Sequence, residues 1–186
     1  AKKFSSGSIY PNFGISSDTL DFFVDKKGLK IEGNANIKNL PVRAQFSGAL
    51  AKEEAKFLEL DFNVSEQALE MLPFRMPDIK ISGSAPAKLY LKFLESKKVE
   101  FELVSNLKGV ELSYPPIGWV KETNGEAELK VSGVLGTEFV IDKISLNSPQ
   151  LVLEGSAVKK IDESITLNFE KLALRDVFDL QLVVEK

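Results

Sequence analysis

The chain has neither histidine nor cysteine in its 186 residues. Catalysis by a histidine base or a cysteine nucleophile, and most zinc sites, are therefore excluded within it. No disulfide framework can form, and the compartment stays open, because a chain without cysteine suits cytosol and periplasm equally. Long hydrophobic runs are missing too: no stretch approaches the roughly 18 apolar residues that a membrane helix needs. Charge of one sign is not in excess. The 24 basic and 27 acidic residues leave a net charge of −3, and the bases are scattered, whereas a nucleic-acid surface needs a concentrated positive patch. One Trp and three Tyr cannot supply the aromatic girdles of an outer-membrane barrel. GxxxxGK[ST], GxGxxG and GxSxG are all absent, so phosphate cradles and nucleophile elbows lack support. KEEAK, at 52–56, lacks the spacing of a Ca²⁺ loop. The expectation is a non-enzyme with no metal and no cofactor.

What is present is alternation. Hydrophobic residues make up 44% and charged residues 27%, the balance of a folded domain rather than a disordered tail, and a single domain over 1–186 is expected. In LKIEGNANIK, Leu29, Ile31, Gly33, Ala35 and Ile37 alternate with Lys30, Glu32, Asn34, Asn36 and Lys38. The same period of two recurs at Leu58, Leu60, Phe62 and Val64, at Ala87, Leu89, Leu91 and Phe93, and at Val99, Phe101 and Leu103. It continues at Ala127, Leu129 and Val131, Phe139 and Ile141, Leu151 and Leu153, Ile165, Leu167 and Phe169, and finally Leu180, Leu182 and Val184. Turn signals separate these runs at Asp25-Lys26-Lys27-Gly28, Glu95-Ser96-Lys97-Lys98, Asn124-Gly125, Asn147-Ser148-Pro149 and Lys159-Lys160. The pattern predicts an all-β fold: an antiparallel meander of about a dozen strands with one wet and one apolar face. Glu100, Glu102, Glu126 and Glu128 fall in the polar phase, which predicts cross-strand ion pairs with lysine, not a catalytic dyad.

Only SEQALEML, 65–72, reads as helix, with Ser65 or Asn63 as N-cap and Pro73 as stop. One helix of about two turns cannot cover a dozen strands spaced about 4.8 Å apart. Burying one Leu, Ile or Phe is worth about 1.5–3 kcal/mol, so the apolar face demands cover. Either the sheet packs on itself as a closed sandwich, or it curls into an open groove or half-barrel around an apolar ligand. An internal echo, IEGNA, ISGSA and LEGSA with looser VSGVL and FSGAL, places glycines on the apolar face. Glycine there either relieves bending of the sheet or leaves room for a ligand.

The run SNLKGVELSYPPIGWVKETNGEAELKVSG, 105–133, resembles a signature of the AsmA-like superfamily, and within it the large envelope proteins of the YhdP and TamB type. There a polar residue, Leu, a variable residue and Gly precede alternating apolar residues, then a Pro-containing loop, Gly-Trp, a variable residue and Lys, and a Gly opening the next strand. The matching positions are Asn106, Leu107, Gly109, Val110, Leu112, Pro115, Pro116, Gly118, Trp119, Lys121 and Gly125. That branch often has Asp where Asn106 stands, and a second Pro where this chain has Glu122. NLPVRAQF at 39–46, a short helix and an isolated ISGSA strand also run in the family's order.

The resemblance implies a segment of a long, taco-like β-groove, the periplasmic part of a bacterial envelope protein anchored in the inner membrane. It also implies an acyl-chain ligand such as phospholipid, moved toward the outer membrane, with neighbouring groove segments as partners and the membrane reached only through segments outside this sequence. The chain opens on AKKFSSGS without Met or a signal-peptide pattern, which fits a fragment or a processed chain. The expected groove lining is Ile31, Phe46, Leu60, Phe62, Ile81, Leu91, Phe93, Phe101, Leu103, Leu129, Val131, Phe139, Leu153, Leu167 and Phe169. Trp119 is expected to plug the end of the sheet, or to meet lipid at the groove rim.

Overall fold

The computed structural model describes residues 2–10, 13–26, 28–49, 55–70, 78–96, 98–161 and 164–174. The strand expected at Leu180, Leu182 and Val184, most of KEEAK, the end of the expected helix with Pro73, and Lys27 and Lys97 of the turn signals lie outside the described residues.

Alternation becomes strand throughout the described residues. The first six strands are β1 (Lys2–Tyr10), β2 (Phe13–Thr19), β3 (Asp21–Asp25), β4 (Gly28–Ile37), β5 (Leu40–Gly48) and β6 (Lys56–Val64). After helix α1 (Glu66–Leu69) come β7 (Lys80–Gly83), β8 (Ala85–Phe93), β9 (Val99–Ser105), β10 (Val110–Tyr114) and β11 (Trp119–Lys121). The chain continues with β12 (Glu128–Leu135), β13 (Phe139–Asn147), β14 (Leu151–Lys159) and β15 (Ile165–Leu174). The main sheet runs β1-β2-β4-β5-β6-β8-β9-β12-β13-β14-β15, with β3 also on β4. Its pairs are all antiparallel. β1 and β15 are its two ends and do not pair with each other, so the sheet is open, not a closed barrel.

Two excursions leave this meander, and sequence reading anticipated only part of them. The chain departs after β6 and again after β9, and the departing segments meet in a small antiparallel sheet, β11-β10-β7. Helix α1 lies in the first excursion and is shorter than the two turns expected. Ser65, not Asn63, caps it, its Oγ accepting from Ala68 N at 3.4 Å, while Asn63 stays inside β6.

The apolar phase of the strands holds the core. One cluster gathers Ile15, Ala35, Ile37, Leu40, Val42, Ala44, Leu58 and Leu60, with Phe46, Phe62, Leu89, Leu91 and Phe93 against it. A second gathers Val64, Ala87, Leu107 and Ala127, and takes Phe62, Leu103, Leu129 and Leu146 from the main sheet and Ile81 and Leu112 from the small one. The small sheet thus lies over one side of the main sheet's apolar face. On the opposite face two of the four expected glutamates form ion pairs, Lys92–Glu100 at 2.9 Å and Lys130–Glu102 at 3.1 Å, and Lys88 lies between Glu59 at 2.5 Å and Asp61 at 3.1 Å. Glu126, outside the strands, and Glu128 form none among the described residues. Glu59 first, then Asp61, hold the Lys88 ammonium above the ordinary lysine range. All are solvent-exposed pairs, which contribute little to stability.

Two of the five echoed glycines mark bends. Gly133 and Gly155 each sit at a register shift in the ladder. A Cβ at Gly133 would run into Val140 O and Ile141 Cα, and one at Gly155 into Asn168 O. Neighbouring backbone, rather than an open space, occupies the missing side chain's place, which favours the bending role over room for a ligand.

Candidate apolar groove

Residues paired directly across an antiparallel ladder share a face, so the register assembles the apolar surface row by row. One row runs Phe22, Ile31, Phe46, Leu58, Leu91, Phe101, Gly133, Ile141, Ala157, Leu167. Beside it runs Gly33, Ala44, Leu60, Leu89, Leu103, Val131, Ile144, Gly155, Phe169. A third, shorter row holds Phe62, Ala87, Ser105, Leu129, Leu146 and Leu153. Phe93 stands opposite Val99 and Phe139 opposite Leu135 at the fringe, and Phe139 stacks on Phe101 with ring centroids 5.6 Å apart and planes 8° from parallel.

Ile81 is the exception among the expected lining residues. It belongs to β7 of the small sheet, opposite Leu112, and packs from there onto the second cluster. Its four-residue strand shows the same period as the main strands, so nothing in the local pattern separates it from them. The groove is also unevenly covered. Leu58 and Leu60, in its middle, are 5% and 3% exposed, whereas Leu167 and Phe169 at one end reach 56% and 38%, and Phe22 at the other 44%.

The loop that resembles the family signature is a compact, stapled turn. Ser105 Oγ accepts from Leu107 N at 3.1 Å, and Asn106 Oδ1 accepts from Lys108 N at 3.1 Å, side-chain turns typical of these residues. They hold Leu107 at φ 50° and bury it to 1%, next to a fully buried Val110. Pro115–Ile117 form a single 3₁₀ turn, closed by Gly118 at φ 66°, where glycine meets no steric penalty. The chain then returns as β11, placing Trp119 opposite Tyr114 and Lys121 opposite Leu112.

Lys121 is 2% exposed. Its Nζ donates to the carbonyls of Leu107 at 2.6 Å, Val110 at 2.7 Å and Glu122 at 3.1 Å, so all three ammonium donors are used. Burial pulls its pKa below the ordinary lysine value. Trp119 is only 7% exposed, and its indole Nε1 finds no acceptor among the described residues. Pro115 and Pro116 are exposed. The Lys121 staple had no separate signal in the sequence: a lone lysine in a strand reads as a surface residue.

No group of three or more carboxylates is placed to hold a metal ion among the described residues, and no helix among them is long and apolar enough to cross a membrane. Two concavities formed by described residues lie on the polar face of the sheet, opposite the apolar rows. Compared with known proteins, the chain matches no family model, no curated protein and no solved structure.

Proposed function

We propose that the chain is a non-catalytic segment of an AsmA-like envelope protein in the periplasm, whose apolar groove binds phospholipid acyl chains and conducts them between inner and outer membranes. The observation that carries this reading is the apolar row that crosses the open sheet from Phe22 to Leu167 with both ends bare. Apolar surface gains about 25 cal/mol for each Å² removed from water, and soluble monomers rarely leave large contiguous patches of it uncovered. An acyl chain covers such a surface without needing a polar partner, and neighbouring groove segments at the β1 and β15 edges would extend it. Transfer along the groove needs no nucleophile and no metal from this segment.

Native mass spectrometry of the purified chain, with solvent extraction of its lipids, tests this. Co-purifying phospholipid is expected. A lipid-free, stable monomer that ignores an apolar fluorescent probe would overturn it.

A second reading draws on the buried middle of the face, where Ala44, Leu58 and Leu60 are 6%, 5% and 3% exposed: a closed structural spacer or protein-interaction module. Phe101→Asp separates the two. A groove keeps its fold with an aspartate there and loses lipid; a closed core unfolds.

A further inference from the structure

We propose that the polar face of the main sheet is a second binding surface, which takes a neutral, hydroxyl-rich linear chain, an oligosaccharide. This is independent of the lipid reading, since it uses the opposite face of the sheet.

The two concavities on this face have volumes of about 1000 and 450 Å³, the range in which proteins hold small ligands. They abut end to end. Arg43 and Gln45, Asp61 and Glu59, and Lys88 and Tyr90 are successive polar-phase positions on β5, β6 and β8, the first of each pair in one concavity and the second in the other. Together they form one trough along the strands, from Phe57 to Asn63 on β6, about 20 Å at roughly 3.3 Å per residue.

Three features of the lining select the ligand. The first is charge. Asp18, Asp61 and Glu128 meet Arg43, Lys88 and Lys130 in the larger concavity, and Glu59, Glu100 and Glu102 meet Lys30 and Lys92 in the smaller. The five bases nearly balance the six acids, and the four lysines are already in ion pairs, so the trough exerts little pull on a polyanion.

The second is unused hydrogen-bonding capacity. The side chains of Arg43, Asn34, Asn36, Asn63 and Gln45 make no hydrogen bond or ion pair among the described residues. A side-chain amide offers donor and acceptor together, which suits vicinal hydroxyls.

The third is aromatic. Phe57 and Tyr90 sit in the polar phase yet are 47% and 40% exposed, on adjacent strands, with Phe57 opposite Lys92 and Tyr90 opposite Glu59. Rings standing among amides and carboxylates offer an apolar surface beside polar groups, matching a sugar ring with its C–H face and hydroxyl rim. An extended peptide fits less well, because adding a strand needs a free sheet edge, and β5, β6, β8 and β9 are paired on both sides.

Isothermal titration of the chain with cellohexaose, maltohexaose and chitohexaose, and with a polar hexapeptide as comparator, tests the proposal. At least one hexasaccharide is expected to bind and the peptide not. Phe57→Ala with Tyr90→Ala should weaken binding about tenfold or more, with the thermal midpoint preserved because both rings are exposed. Arg43→Ala probes the other concavity and should weaken binding without touching either ring. Three outcomes would overturn the proposal: no hexasaccharide binds, the peptide alone binds, or folded variants bind as well as the wild type.

Discussion

Lys121 turns its ammonium toward main-chain oxygens rather than carboxylates, and the loop from Ser105 to Glu122 closes around it. Lys121→Met keeps the stem but removes all three side-chain donors. Leu107 O and Glu122 O keep the N–H groups of Val110 at 3.3 Å and Gly125 at 2.9 Å, and a buried polar group left unsatisfied costs about 1–3 kcal/mol. We expect a lower urea midpoint with an unchanged slope. The pH dependence has a defined sign. Lys121's folded pKa lies below its ordinary value of 10.5, so as pH rises the folded chain releases this proton before the unfolded chain does. The unfolded chain then binds more protons, and stability rises with pH through the folded pKa and levels off near 10.5. Wild type should therefore gain stability relative to Lys121→Met across that alkaline window, and a gap that shrinks there would refute the burial of the charge. For Trp119, whose N–H has no acceptor among the described residues, Phe should be tolerated while Ala costs about 3–5 kcal/mol. Thermal melts of the two variants separate ring packing from hydrogen bonding.

At the scale of the element, the long strands were legible because alternation is set by the pleat: Leu58, Leu60 and Val64 are buried while Lys56, Phe57 and Asn63 are exposed. Gly133 and Gly155 were legible as apolar-face positions, but not as bulges, since the clash that forbids a side chain comes from the next strand. Gly133→Ala and Gly155→Ala should each destabilise by about 1–3 kcal/mol, the cost of overpacking. Gly136→Ala, whose added methyl would lie 3.6 Å from its nearest neighbour, should stay within about 0.5 kcal/mol. If Gly133 and Gly155 left ligand space, their alanine variants would instead keep their urea midpoints and lose lipid. The short strands were not legible. KISG and WVK are too brief for periodicity to outweigh flanking turns, and although ISGSA read as an isolated strand, its Ile81 was still expected in the groove lining. What assigns Ile81 to the small sheet is its pairing with Leu112, a long-range contact that no local pattern encodes.

For the whole molecule, period-two patterning without a covering helix foretold an antiparallel sheet with a demanding apolar face, and left a closed sandwich and an open groove as the two ways to cover it. How far that face covers itself could not be read from it. Leu60 and Leu167 occupy equivalent apolar phases, yet one is 3% and the other 56% exposed, because strand order places β6 in the middle and β15 at an edge. The polar trough was equally hidden, since it arises from the shape of the sheet and not from any one strand. The central claim is that the apolar rows carry lipid, and site-specific photocrosslinking tests it most directly. One crosslinker replaces Phe101 on the apolar face and another Tyr90 on the polar face, and each protein is incubated with phospholipid vesicles. The account predicts phospholipid adducts at Phe101 and none at Tyr90. A folded protein with no adduct at Phe101, or with equal adducts at both positions, would contradict it.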